Sequence, residues 1–274
     1  MKHAFVVGHP IAHSRSPLIH NYWLKANAIA GTYEPIDVLP DDLPAFFDRI
    51  REGRYVGGNV TLPHKAAAYL LSDERESLAD SIGAVNTLVR LGSGAVEGRN
   101  TDYLGFLGNL DQNAPGWSEA LNEVVVLGAG GACRAVVVAL KSRGVRCIHL
   151  LNRTIGTAED MAIELEGPIA AGSLAEFPKR ARRAGLLINT TSVGMKSTRF
   201  DGLDLGALPQ DALVTDLVYT PLVTPLLAEA RALGLRTVDG LGMLLHQAVP
   251  GFEAWFGVKP EVTAELRALV EASL

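Results

Sequence analysis

The chain has little cysteine: Cys133 and Cys147 are the only two in 274 residues. Two thiols make no disulfide framework, and Cys and His form no metal-ligand cluster. The seven histidines include no H-E-x-x-H pair, so no metal is expected. Neither sign of charge dominates. Lys and Arg total 25 against 30 Asp and Glu, a net charge of −5. A chain acidic overall lacks the basic balance that a phosphate backbone requires, which excludes nucleic acid as the main partner. Long apolar runs are missing as well. Gly, Pro or a charge cuts each one short, so no segment reads as a membrane span. The opening "MKHAFVVGHP" has one lysine and a brief apolar run, too short for a signal peptide, and reads as a first β-strand. These absences together lead us to expect a soluble, reduced, cytoplasmic protein.

What is present is an alternation of short β-type runs with helical patterns, and hydrophobic residues at 48%, enough for a sizeable core. The expected fold class is α/β. "HAFVVG", "GTYEPIDV" and "VGGNVTL" read as strands. "SPLIHNYWLKANAI", with Pro17 at its start, and "DDLPAFFDRIREG", opened by aspartates, read as helices. "AVNTLVR" and "AVEGRNTD" flank the turn "LGSG". After a polar stretch at "NAPGWSE" the alternation restarts with "EVVVLG", "RCIHLLNR", "LLINTT" and "LVTDLVY" as strands. Two helical stretches, "LLHQAVPGFEAWFG" and "PEVTAELRALVEASL", close the chain. The pattern divides it into two domains, with a glycine turn opening the second.

That turn lies in "EVVVLGAGGACRAVVVAL". Glycine adopts φ > 0 cheaply, and backbone N–H groups approach a pyrophosphate closely only where no side chain intrudes. Gly128, Gly130 and Gly131 meet both needs, with Ala129 and Ala132 small enough not to obstruct. A strand leads in and a helix leads out, so the positive end of the helix would face the phosphates. The spacing departs from G-x-G-x-x-G, because Cys133 stands where the last glycine would be. It is still small, and close helix–strand packing is the expected role, although a thiol at a helix start is also a place where a pKa can fall. The next strand ends in Asn152, Arg153 and Thr154. A carboxylate there would accept from the ribose 2′-hydroxyl of NAD. An arginine pairs instead with a 2′-phosphate, so NADP is the expected cofactor.

The first block holds the other polar clusters. "AHSRSP" places Ser14 and Ser16 in the loop after the first strand. Alternating hydroxyls suit a carboxylate ligand, but Ser-x-Ser before a helix is equally the pattern of a cap. "NVTLPHK" sets Thr61 and Lys65 at a strand-to-helix junction. Lysine is disfavoured at the positive end of a helix, so its placement calls for a reason. Asn86 in "GAVNT" and Asp102 in "GRNTD" follow.

The ordered set "HSRSP", "NVTLPHK", "IGAVNT", "GRNTD", "GAGGA", "NRT" and "GLGMLLHQA" resembles the shikimate dehydrogenase family over nearly the whole chain. The resemblance implies a two-domain α/β fold. Residues 1–102 plus 240–274 would form a discontinuous substrate domain, residues 103–239 a Rossmann-type NADP domain, and catalysis would occur in the cleft between them. It implies Lys65 and Asp102 as the catalytic pair. Ser14, Ser16 and Thr61 would hold the substrate carboxylate, Asn86, Asp102 and Gln247 would meet the ring hydroxyls, and Tyr219 would lean in from the cofactor domain. Gly128, Ala129, Gly130, Gly131 and Ala132 would wrap the pyrophosphate, and Asn152, Arg153 and Thr154 would hold the 2′-phosphate. Leu217, Gly240 and Met243 would line the nicotinamide.

The implied reaction is the reversible NADPH-dependent reduction of 3-dehydroshikimate to shikimate, in aromatic amino acid biosynthesis, by a monomer or homodimer. A broader quinate/shikimate dehydrogenase using NAD or NADP is the alternative. Many NADP-preferring members carry a second arginine a few residues past the first, and this chain has Thr157 near that place. A non-catalytic NADP-sensing regulator on the same scaffold would be expected to lack Lys65 or Asp102, and both are present.

Overall fold

The computed structural model of the chain describes residues 1–119 and 121–274. It separates into two compact units, one of residues 1–102 and 245–273, the other of residues 103–244 together with Leu274.

The first unit begins with β1 (Lys2–Gly8), α1 (Ser16–Ala26), β2 (Gly31–Asp37), α2 (Leu43–Arg51) and β3 (Gly57–Val60). It continues with α3 (Lys65–Leu71), β4 (Glu74–Arg75), α4 (Ser77–Ile82), β5 (Thr87–Arg90) and β6 (Val96–Arg99). Its sheet runs β2-β1-β3-β5-β6-β4. β1 lies parallel to both β2 and β3, and β5 is antiparallel to β3 and to β6. Side chains alternate across the sheet. Phe5 and Val7 of β1 face a core with Phe46, Phe47 and Ile50 of α2 and Ala68 of α3.

The second unit contains α5 (Asp102–Asn113), β7 (Glu123–Leu127), α6 (Gly131–Ser142), β8 (Cys147–Asn152), α7 (Ile155–Leu165) and β9 (Ile169–Ser173). α8 (Phe177–Ala181), β10 (Leu186–Asn189), β11 (Val193–Lys196), β12 (Leu213–Asp216), α9 (Pro225–Ala232) and β13 (Arg236–Val238) follow. The sheet order is β13-β12-β10-β7-β8-β9, with every neighbouring pair parallel. This is the doubly wound order with its switch point beside β7. β7 is buried on both faces, as a central parallel strand must be. Val124 and Val126 pack toward α6 residues Val136 and Leu140. Val125 and Leu127 pack toward Phe177 of α8 and Leu227 of α9. The chain ends with α10 (Leu241–Phe256) and α11 (Ala264–Glu271).

Within the first unit Gly57 has φ +145° and lies against the Leu88 carbonyl and the Trp255 indole. That indole donates to the same carbonyl at 2.8 Å. A methyl group at position 57 would be both strained and overpacked, each effect costing about 1–3 kcal/mol. Gly57→Ala is expected to lower the urea midpoint clearly; a midpoint equal to the parent chain's would contradict this packing.

Candidate functional site

Strand register gathers one polar cluster in the first unit. β1 and β3 run parallel with Val7 opposite Val60, so the loops carrying Ser14 and Lys65 leave from the same sheet edge. β5 starts at that edge because it is antiparallel to β3, with Asn59 opposite Thr87. β6 returns to it, with Thr87 opposite Arg99. Asn86 therefore precedes one strand and Asp102 follows the next, at a single edge.

There Lys65 Nζ lies 2.5 Å from Asp102 Oδ2, with the two side chains 21% and 11% exposed. Asn86 Nδ2 donates to Asp102 Oδ1 at 2.8 Å and reaches Gln247 Oε1 at 3.5 Å. The backbone fixes this amide's orientation. Asn86 Oδ1 accepts from the Thr101 N–H at 2.8 Å, which leaves Nδ2 to face the carboxylate. Both oxygens of Asp102 are thus engaged by donors, and one of the three ammonium protons of Lys65 is committed to it. Asn100 supports the same turn, its Nδ2 donating to the Ala84 carbonyl at 2.9 Å and its Oδ1 accepting from the Asp102 N–H at 3.1 Å.

Behind this cluster lies a layer that the sequence reading did not single out. The Tyr33 hydroxyl donates to Asn59 Oδ1 at 2.6 Å, and Asn59 Nδ2 donates to Thr87 Oγ1 at 3.1 Å and to the Asn86 carbonyl at 3.3 Å. Burial raises the Tyr33 pKa well above the usual phenol value, so it stays a donor. His20 stacks on its ring at 4.1 Å and is held neutral, burial pushing its pKa down to about 3. The only sequence signal was Asn59, an amide inside an otherwise apolar and glycine strand.

Arg15 stands at the N-cap of α1 and makes no side-chain cap bond. Ser14 Oγ accepts from the Ser16 N–H at 3.3 Å, and Ser16 itself is buried. Ser14 thus engages the first amide of α1, as a cap does. Thr61 is anchored by its N–H to the Val7 carbonyl at 2.9 Å, and its methyl lies over Gly8.

The second unit carries the glycine turn. Gly128 has φ +96°, and its N–H donates to the Leu151 carbonyl at 2.8 Å, tying the turn to β8. A side chain at position 128 would strike Thr191, whereas a Cβ at Gly130 or Gly131 would meet nothing within 4 Å. Open space therefore lies before the first turn of the twelve-residue α6, whose N-cap Gly130 supplies no side-chain cap. The N–H groups there remain available to an anion, the geometry that a pyrophosphate needs. Cys133 is fully buried and its pKa is pushed up to about 12, so its thiol is inert packing and the lowered value is excluded. Arg153 is exposed at the end of β8, and no carboxylate among the described residues pairs with it. Asn152 Nδ2 holds the Thr154 carbonyl at 2.9 Å. Leu217 and Met243 belong to one apolar cluster with Ala129 packed on it. Gly240 fits because a Cβ would come within 2.5 Å of the Leu217 carbonyl oxygen. Tyr219 lies two residues beyond Leu217, in the segment after β12.

At the end of β12, Asp216 is buried among neutral groups: Asn189 from β10, the Val218 amide, Thr224 ahead of α9, and the Gly194 backbone of β11. Burial lifts its pKa from 3.8 to about 6, against the pull of its hydrogen bonds. A raised acid pKa means that the folded state holds the proton more tightly than the unfolded chain. Ionised Asp216 therefore costs the fold on the order of 3 kcal/mol above pH 6, and nothing below the unfolded value of 3.8. Asp216→Asn is expected to raise the urea midpoint at pH 7.5. The gain over the parent chain should shrink as pH falls through 6 and vanish near 3.8. A gain that is absent at pH 7.5, or independent of pH, would contradict the buried ionisation.

Comparison with known proteins follows this division of the chain. The family model for the shikimate dehydrogenase substrate binding domain matches residues 6–88. The model described as shikimate / quinate 5-dehydrogenase matches residues 112–242, and the shikimate 5'-dehydrogenase C-terminal domain matches residues 240–269. Shikimate dehydrogenase (NADP(+)) of Mesorhizobium japonicum is 53% identical over 273 residues, covering 100% of this chain and 97% of the relative. Among solved structures, shikimate 5-dehydrogenase from Thermus thermophilus, in complex with NADP(H) and shikimate, aligns with a TM-score of 0.89 at 35% identity, covering 100% of both chains. A quinate dehydrogenase from Corynebacterium glutamicum in complex with NAD aligns at 0.91 and 31% identity, covering 100% of this chain and 99% of the other.

Proposed function

Because the chain belongs to the shikimate dehydrogenase family, we propose that it catalyses the reversible NADPH-dependent reduction of 3-dehydroshikimate to shikimate. The observation that carries the reading is the Lys65–Asp102 pair, with the second oxygen of Asp102 taken by Asn86. The substrate role falls to the first unit and the cofactor role to the second. NADPH, when bound, supplies the hydride. The space before α6 and the exposed Arg153 support a dinucleotide with a 2′-phosphate.

Lys65 acts on the substrate oxygen. As that oxygen gains negative charge, the ammonium stabilises it and then donates a proton to it. Asp102 keeps the lysine aimed by holding one of its N–H bonds, which leaves two for the substrate. In the reverse direction the same nitrogen takes the proton from the hydroxyl. Asn86 and Gln247 meet neighbouring ring hydroxyls. Ser14 and Thr61, on the loops leaving β1 and β3, and Ser16, at the start of α1, hold the carboxylate. Tyr219 takes a substrate-binding role, with Leu217, Gly240 and Met243 beside the nicotinamide. Two free cysteines and an NADP-linked biosynthetic step fit the cytoplasm.

Thr157, near the place of a second arginine in many NADP-preferring relatives, favours a second reading in which NAD and quinate are also accepted. Nicotinamide absorbance with shikimate or quinate and each oxidised cofactor separates the two through kcat/KM. Lys65→Ala is expected to lower kcat by about 10²–10⁴ with little change in KM; near-normal turnover would remove Lys65 from the mechanism. Arg153→Ala should weaken NADPH by about tenfold or more while sparing NADH, since only the former offers the phosphate. Equal losses with both cofactors would contradict the clamp.

A further inference from the structure

One buried carboxylate in the second unit takes no part in the chemistry above. Asp216 Oδ1 accepts from Asn189 Nδ2 at 2.8 Å and from the Val218 N–H at 2.9 Å, and its Oδ2 accepts from Thr224 Oγ1 at 2.7 Å. These donors come from three different segments: the end of β10, the exit of β12 and the N-cap of α9. Asn189 extends the bonding in the other direction. Its Nδ2 also reaches the Val193 carbonyl at 2.7 Å, and its Oδ1 accepts from the Thr191 N–H at 2.9 Å and the Thr191 hydroxyl at 2.8 Å. Thr191 lies against Gly128, and the Thr190 hydroxyl donates to the Leu127 carbonyl at 2.8 Å. A continuous set of side-chain bonds and contacts thus links the glycine turn to the segment 217–224. The Leu217 N–H closes it by donating to the Asn189 carbonyl at 3.0 Å.

We propose that Asp216 is a positioning residue for the cofactor: it clasps the segments 190–194 and 217–224 to the glycine turn and so fixes Leu217 beside the nicotinamide. The proposal rests on the cofactor reading above. An ionised carboxylate only accepts, so the Thr224 hydroxyl must donate to it, and the lone pairs of Thr224 stay free for the Leu227 N–H at 3.3 Å. Asparagine would point a donor at Thr224 and compete with that cap. The arrangement also costs stability, because no opposite charge faces the carboxylate among these neighbours. A residue held at the fold's expense is the pattern of a functional constraint.

The test compares full-length parent chain, Asp216→Asn, Thr224→Ser and Thr224→Val at pH 7.5. NADPH dissociation constants are read from nicotinamide fluorescence, and urea midpoints are recorded alongside. Asp216→Asn should bind NADPH about tenfold more weakly while its midpoint lies above the parent's. Thr224→Ser should keep affinity within about twofold, and Thr224→Val should lose it as Asp216→Asn does. A purely structural role would move affinity and midpoint down together, and that result overturns the clasp. Parent chain that binds NADPH, with Asp216→Asn binding equally well, also overturns the clasp and leaves the cofactor reading intact. Parent chain that binds no NADPH overturns both.

Discussion

Asp102 accepts from Asn86 on one oxygen and from Lys65 on the other, and the first unit is organised to keep both bonds. The Thr101 N–H orients the Asn86 amide, Thr87 and Asn59 hold it from behind, and the Tyr33 hydroxyl holds Asn59. Each member has its donors and acceptors matched. A buried polar network stabilises one arrangement only in that condition. An ammonium with a fixed partner presents its remaining N–H bonds in fixed directions, which is what proton transfer to a particular oxygen requires. The second unit solves a different problem, leaving N–H groups unsatisfied at the start of α6 and keeping side chains out of the space before them.

Much of this was legible in the residues. Alternation of apolar runs indicated parallel α/β architecture, and the strand–glycine–helix order located the open glycine turn before α6 without a complete fingerprint. Cys133 in the last position of the motif proved compatible, because packing against β7 needs smallness and tolerates a buried thiol. Lys65 stood out since a cation at a helix start opposes the backbone dipole.

Other features were beyond local reading. β9, "IAAGS", has almost no β-branched content and forms because β8 offers it an edge. The brief β4 and α8 have too few residues to show a period. Tyr33, Asn59 and Thr87 look ordinary in the chain, and only strand register brings them together. Asp216 sat inside "LVTDLVY" as the one charged residue of a mostly apolar stretch, and its partners Asn189 and Thr224 lie on other elements.

The β5–β6 hairpin turns at residues 91–94 and delivers both of its free ends to the opposite edge of the sheet, where Asn86 and Asp102 meet. Variation and constraint are thereby separated along a single pair of strands. Extra residues grafted into that turn would lengthen a solvent-side loop at small entropic expense. The register would still bring the amide and the carboxylate together, which makes this turn a natural attachment point for a label or a fused domain.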